Sequence, residues 1–286
     1  MAETPTRRSK VIGTLLVIVP VIVALTGALD APSQRSAEAA LARSLVTFAI
    51  ARTLDAAISV AQGTEVAVEP GGVGVNFAPG QALDPINDLV ERFSFAMLVA
   101  TSSLALQGVL LEMARWWAAN LALVIAAALA LIAIWRPTWL GQFGTRAAIR
   151  VLSIVVFVRF AIPVFVLGSS LVFQTFLAAD HRAANDALTA TGTAIEALAQ
   201  ESESAATAPT PEPSLTERLG DLIDDSLQAI DVRERMRRVA DSVSGAVENM
   251  VHLIVIFALE SIILPLVFLW LFAEALKKVA ARATHL

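Results

Sequence analysis

Two charged residues interrupt long apolar segments of the chain and are the first candidates for chemistry. Arg159 lies in the apolar run 151–178, and Glu260 lies in the run 251–272. A charge that faces lipid is costly, so each side chain is expected to face the protein interior and to find a partner there. At helical rise the two lie about 12 Å and about 18 Å from the ends of their runs. We predict an ion pair between them; passage of an ion, a proton or an anion, and no contact at all, are the alternatives.

A proline follows each of these charges and adds polarity at the same depth. Proline has no N–H, so Pro163 leaves the carbonyl of Arg159 without its helical partner, and Pro265 does the same for the carbonyl of Ser261. Free backbone carbonyls inside a membrane are tolerated only where protein or water satisfies them. The two prolines therefore predict a polar pocket near the middle of the bundle.

A stripe of small and polar residues recurs every seven positions along the segment that precedes the second predicted span. Residues seven apart lie on nearly one face of a helix. One interpretation is a polar lining of a water or ion path, along the bundle or an oligomer axis. The other, which we favour, is that small residues let a neighbouring helix approach closely. The stripe consists of Asn87, Ser94, Thr101, Gly108 and Arg115.

The sequence contains no signature of catalysis or of cofactor binding. It has no cysteine, and no paired carboxylates, activated nucleophile or metal-ligand set is expected at one depth. The arginines in 233–238 are accompanied by Asp231 and Glu234 and lack aromatic neighbours, which favours a solvated helix face over nucleic-acid binding. We therefore predict that the protein is not an enzyme and needs no cofactor or metal.

The elements that must position these residues are membrane helices. A hydrophobic content of 56% and a mean hydropathy of +0.69 exclude an ordinary soluble domain. A fifth apolar segment, 93–111, is followed by nine residues without Gly or Pro, so we expect one continuous helix from 85 to 135, of which the part before residue 116 lies outside the membrane. A five-span topology is the alternative. The four predicted spans are 11–29, 116–135, 151–178 and 251–272.

The distribution of charge predicts the orientation of the chain. The three lysines lie near the two termini, and segments 1–10, 136–150 and 273–286 are basic, whereas 30–115 and 179–250 are acidic. Basic segments stay in the cytoplasm, so both termini are expected there. High Ala content and an excess of Arg over Lys are typical of bacteria with GC-rich genomes, which places the protein in a bacterial inner membrane.

Helical patterns continue beyond the spans and predict an outer bundle. A helix is expected from Asp30 to about Gly63, and a capping box at 214–217 predicts another helix before the fourth span. Alternating valines around Pro70-Gly71-Gly72 predict a small β-hairpin, and 201–213 reads as an acidic, proline-rich linker. The predicted fold is an all-α integral membrane protein with four long transmembrane helices, which extend into a periplasmic helical bundle with a β-hairpin at its tip.

Two classes of function agree with these features. The first is an oligomeric channel or transport component, which the stripe and the buried charges favour. The second is a structural or accessory membrane protein that docks a partner through its extracytoplasmic helices. The expected partners are the lipid bilayer, further copies of the chain and, in the second class, an unknown membrane or periplasmic protein.

Overall fold

The computed structural model describes residues 7–63, 79–206 and 245–284, and nearly all of these are helical. Two π-helical turns, Phe173–Leu177 and Leu259–Ile263, join α5 to α6 and α7 to α8. The helices are α1 (Arg7–Thr26), α2 (Asp30–Gly63), α3 (Pro79–Arg115), α4 (Trp117–Trp135), α5 (Pro137–Val172), α6 (Ala178–Ala206), α7 (245–258) and α8 (Leu264–Thr284).

The helices have the length and hydropathy of a multi-pass membrane protein. Within the described residues, four stretches are long and apolar enough to cross a bilayer, and the bent pair α1–α2 makes a possible fifth. The all-α prediction is confirmed for this part of the chain. These stretches include α3, which was expected to stand outside the membrane and whose length and hydropathy make it a candidate span, as in the five-span alternative. The four stretches are Asn87–Arg115, Trp117–Trp135, Phe143–Ala197 and Gly245–Ala281.

The predicted continuous helix from 85 to 135 is wrong. The helix stops at Arg115 and restarts at Trp117, because Trp116 adopts φ −58° and ψ 145°, which is extended backbone. Helix propensity is a weak preference that packing overrides. On one side of the break Arg115 donates a hydrogen bond to Gln34 of α2, and on the other Asn120 accepts one from Arg159 of α5. The two helices are therefore anchored to different neighbours.

A sharp bend separates α1 from α2. Gly27 has φ +64°, a left-handed conformation that glycine adopts without the steric cost that a Cβ brings. The axes on either side of it differ by 59°. The first predicted span, 11–29, consequently ends at Thr26, whereas α2 begins at Asp30 as predicted.

Helix also extends into two segments that were expected to be connections. The predicted loop 136–150 is helical from Pro137, interrupted only by a kink at Gly141 with φ +64°. The first residues of the predicted linker 201–213 belong to α6, which is described to Ala206. The predicted β-hairpin, the rest of the linker and the helix predicted from 214 lie outside the described residues.

The chain divides into two compact units. The first comprises Met1–Arg43, Ala100–Leu177 and Ala258–Leu286, and the second comprises Ser44–Val99 and Ala178–Phe257. In the first unit, α1 packs on α4, α4 on α5, and α5 on α8. Small residues of α4 allow this close approach. The buried core is Val17, Ala24, Leu123, Ala126, Ala127, Ala130, Leu152, Val156 and Phe160.

The second unit has its own buried side chains, including a polar group. The hydroxyl of Thr47 donates a hydrogen bond to Asn185 Oδ1 at 3.1 Å and lies 3.4 Å from His181 Nε2. The imidazole of His181 also meets the ring of Phe257 edge to face, with 5.4 Å between ring centroids. All three polar side chains of this group are buried.

Candidate functional site

The sequence predicted that Arg159 pairs with Glu260, but in the structure Arg159 pairs with Asp30. The guanidinium is 1% exposed and donates from Nη1 and Nη2 to the two carboxylate oxygens of Asp30, at 3.0 and 2.7 Å. Its third nitrogen, Nε, donates to Asn120 Oδ1 at 2.8 Å. A two-pronged contact of this kind is the strongest geometry for an arginine and a carboxylate. We call Asp30, Asn120 and Arg159 the closed cluster.

Three helices of the first unit each contribute one residue to the closed cluster. Asp30 is the first residue of α2, directly after the bend at Gly27, and Asn120 lies in the first turn of α4. Arg159 comes from the middle of α5, and its guanidinium carbon lies 5.3 Å from the centre of the Phe160 ring. An ion pair at this depth repays its loss of hydration only when its hydrogen bonds are complete, and here every guanidinium nitrogen has a partner.

Glu260 pairs with Arg43 instead of Arg159. The carboxylate lies in the π-helical turn before α8 and is 2% exposed, and its Oε1 accepts a hydrogen bond from Arg43 Nη2 at 2.5 Å. The guanidinium of Arg43 is 23% exposed and lies over the ring of Phe173, 3.8 Å from its centre. The second oxygen, Oε2, is buried without a hydrogen-bond partner among the described residues. We call the pair of Arg43 and Glu260 the open cluster.

A small polar cavity adjoins the open cluster. Its volume is about 10 Å³, enough for one water molecule. Glu260, Ser169 and Gln107 are among the residues that line it. The Oγ atoms of Ser169 and of the neighbouring Ser261 are, like Oε2, buried and without a partner in the described part of the chain. Buried polar atoms are nearly always hydrogen-bonded, so this group is built to receive water.

The backbone beside Glu260 contributes another polar atom. The carbonyl oxygen of Ser261 accepts hydrogen bonds from Ser103 Oγ at 3.0 Å and from Gln107 Nε2 at 3.1 Å. This agrees with the prediction that Pro265, which has no N–H, leaves that carbonyl available to side chains. Polar side chains therefore meet next to Glu260, at the carbonyl that Pro265 leaves without a helical donor.

The heptad stripe of α3 is not a single feature. Ser94 and Thr101 are buried, and their hydroxyls have no partner among the described residues. Asn87 and Gly108 are half-buried, and Arg115 is bound to Gln34. A Cβ added at Gly108 would meet no atom of the described residues within 4 Å, so none of the described helices packs closely there. Close packing occurs instead at Gly168, where a Cβ would lie 2.5 Å from the ring of Phe268.

Three residues of the two clusters were not predicted as site residues. Asp30 was expected only to begin a helix, Arg43 only to lie in an outer segment, and Asn120 only to lie in a span. The available signal was position: Asp30 is the first charge beyond an apolar run, and such a residue lies close enough to a buried arginine to pair with it.

No group of three or more potential metal ligands comes together within residues 7–63, 79–206 and 245–284. No protein-family model matches the chain, and neither the curated proteins nor the solved structures contain a match.

Proposed function

We propose that the protein is a transport component of the membrane that passes protons, with Glu260 as the group that binds them. The observation that supports this is a buried carboxylate, Glu260, that lines a cavity with room for one water and whose Oε2 has no hydrogen-bond partner among the described residues. Intramembrane carboxylates in polar surroundings commonly serve as proton relays. The closed cluster, in which every nitrogen of Arg159 is bound, then serves as a fixed anchor.

The size of the cavity favours a proton over other ions. A hydrated metal ion needs several waters or many oxygen ligands, and this cavity has room for about one water. A proton needs only a hydrogen-bonded route. A cavity water donates a proton to Oε2 while it accepts one from the side at which protons enter. The carboxylic acid then donates its proton to a hydroxyl or water that passes one on toward the other side, so that both the water and Glu260 are regenerated. Ser169, which lines the cavity with Glu260, and Ser261, the next residue along the chain, carry buried hydroxyls that have no partner among the described residues and could take part in such a route.

For the membrane and the orientation of the chain, we follow what the composition and the distribution of charge predict. The protein would act as a homo-oligomer in a bacterial inner membrane, with both termini in the cytoplasm and no enzymatic activity. The positive charges at Lys10, Arg146 and Lys277 support this orientation.

Proton flux in proteoliposomes tests the proposal. A potassium gradient with valinomycin sets the membrane potential, and an internal pH-sensitive dye reports proton entry. We expect flux from the wild-type protein and at least a tenfold loss with Glu260→Gln, which keeps the shape of the side chain but not its proton affinity. Glu274→Gln is the matched control, because Glu274 is exposed to 39% and contacts only Lys277 and Lys278 among the described residues. Equal flux from both variants would remove Glu260 from the route.

An accessory role is the second candidate, and the outer face of α3 favours it. Leu106, Val109 and Met113 are exposed and lie on one side of this helix. A large exposed apolar surface marks contact with lipid or with another protein. The accessory role predicts no flux from the wild-type protein. It also predicts that single cysteines at these positions resist a thiol reagent in native membranes and react after purification.

A further inference from the structure

A second cavity lies in the first unit, between α5 and the end of α8, and it differs from the cavity at Glu260 in size and charge. Its volume is about 530 Å³, which is within the usual range for small-molecule sites. One part of its wall is apolar and includes Ile154, Phe157 and Leu276. The other part carries the cations Arg146, Arg150 and Lys277. We call this the basic groove.

The charge of the basic groove is one-sided. Among the described residues, its lining contains three cations and no carboxylate. Arg146 and Arg150 are four residues apart on one helix, an arrangement that is destabilising for like charges without an anion between them. Neither arginine has a carboxylate partner in the part of the chain that the structure describes. Lys277 has only a long contact of 3.8 Å with Glu274, which is not part of the groove.

The position of the groove along the helices indicates the depth of its ligand. The residues Trp135 and Trp139 are exposed at the junction of α4 and α5, and Trp135 Nε1 donates to Thr14 near the start of α1. Exposed tryptophans at the ends of apolar helices mark the level of lipid headgroups. The basic side chains lie toward the start of α5 and toward the end of α8, which is the side of the tryptophans. Phe157 lies further along α5, and its ring stacks on that of Phe272.

We propose that the basic groove binds an anionic phospholipid. The phosphate lies between Arg146, Arg150 and Lys277, and the first part of an acyl chain lies against Ile154, Phe157 and Leu276. Basic pockets between membrane helices bind acidic headgroups in this way. The ligand is a lipid and not a soluble anion, because most of the wall is apolar and would gain nothing from a free phosphate.

Native mass spectrometry of the delipidated full-length protein measures this binding directly. The probes are phosphatidylglycerol and phosphatidylcholine with identical acyl chains. We expect phosphatidylglycerol to bind at least tenfold more tightly. At about 1 kcal/mol for each cation near a lipid phosphate, the triple variant Arg146→Gln, Arg150→Gln, Lys277→Gln should lose about 100-fold in affinity for it.

Three controls decide what the loss means. The variant Arg35→Gln, Arg136→Gln, Lys278→Gln removes the same charge outside the groove and should lose less than threefold. Arg146→Lys with Arg150→Lys keeps the charge and should retain binding, which separates a lost site from a misfolded chain. Ala280→Phe places bulk in the groove and should weaken both lipids.

Two results would overturn the proposal. One is equal affinity for phosphatidylglycerol and phosphatidylcholine, or an equal loss of affinity in the two triple variants. Either would show that the cations of the groove have no specific role in binding the lipid. The other is competition by glycerol 3-phosphate at concentrations similar to those of phosphatidylglycerol, which would identify a soluble anion as the ligand. Neither result bears on proton flux through Glu260, so the two proposals fail separately.

Discussion

The closed cluster and the open cluster hold similar charges in the same unit but satisfy them differently. Arg159 uses all three of its nitrogens on Asp30 and Asn120, whereas Glu260 uses one oxygen on Arg43 and leaves the other beside a cavity. A buried network that is complete stabilises one arrangement, whereas one that is incomplete is costly. The two charges are equally buried, so they differ not in burial but in the number of hydrogen bonds that each makes with the described residues.

Removing the acid of the closed cluster should produce the largest effect on stability. Asp30→Ala leaves Arg159 as an uncompensated charge at 1% exposure and should lower the free energy of unfolding by about 3 to 5 kcal/mol. Unfolding in mixed micelles with increasing denaturant measures this. Asp55→Ala is the control, since its pair with Arg52 is at the surface and should be worth less than about 1 kcal/mol. A loss of similar size in both variants would contradict the distinction.

Alanine substitutions at two glycines of the first unit test how tightly the helices pack near the open cluster. Gly168→Ala pushes a Cβ into the ring of Phe268 and should cost about 1 to 3 kcal/mol. Gly108→Ala has open space and should be neutral or stabilise its helix by up to about 1 kcal/mol. In detergent, the midpoint of thermal unfolding should be lower for Gly168→Ala than for Gly108→Ala. The opposite order would contradict the close packing at Gly168.

Neutralising the acid of the open cluster should separate stability from function. In Glu260→Gln the amide oxygen still accepts a hydrogen bond from Arg43, so only the charge-assisted part is lost, about 1.5 kcal/mol. The loss should be well below that of Asp30→Ala, although proton flux falls at least tenfold. If Glu260→Gln is as destabilising as Asp30→Ala, then Glu260 has a structural role and the comparison between the clusters fails.

The bend that presents Asp30 to the closed cluster gives the smallest expected effect. Gly27→Ala puts a Cβ on a residue at φ +64° and should cost about 1 kcal/mol. Gly27→Asn should cost less, because asparagine tolerates this conformation better than alanine does. The measurement is the difference between the unfolding midpoints of the two variants. Equal midpoints would mean that the bend does not depend on the left-handed conformation.

Some features of the site were predictable because they are local. Arg159 and Glu260 interrupt apolar runs, so their burial in protein follows from the cost of a charge in lipid. The free carbonyl of Ser261 follows from Pro265, since the missing N–H is a covalent fact. The start of α2 at Asp30 follows from its N-terminal preference.

The partners of the two charges were not predictable in the same way. Arg159 and Glu260 were matched by depth alone, but reach along a helix does not specify which neighbour is adjacent. The break at Trp116 was missed for a related reason: nothing in 112–120 disfavours helix, and the anchoring of Arg115 and Asn120 by separate helices decides it.

The sequence by itself determined the elements: apolar helices of membrane length, charges that must turn inward, and prolines and glycines that release or bend the backbone. These depend on covalent structure and on the solvent preference of single residues. Only the tertiary structure decided that Asp30 closes around Arg159 while Glu260 keeps an open oxygen, and that α5 and α8 form a basic groove. Each of these depends on which helices are neighbours, and that is set by the sum of many packing contacts that no single residue specifies.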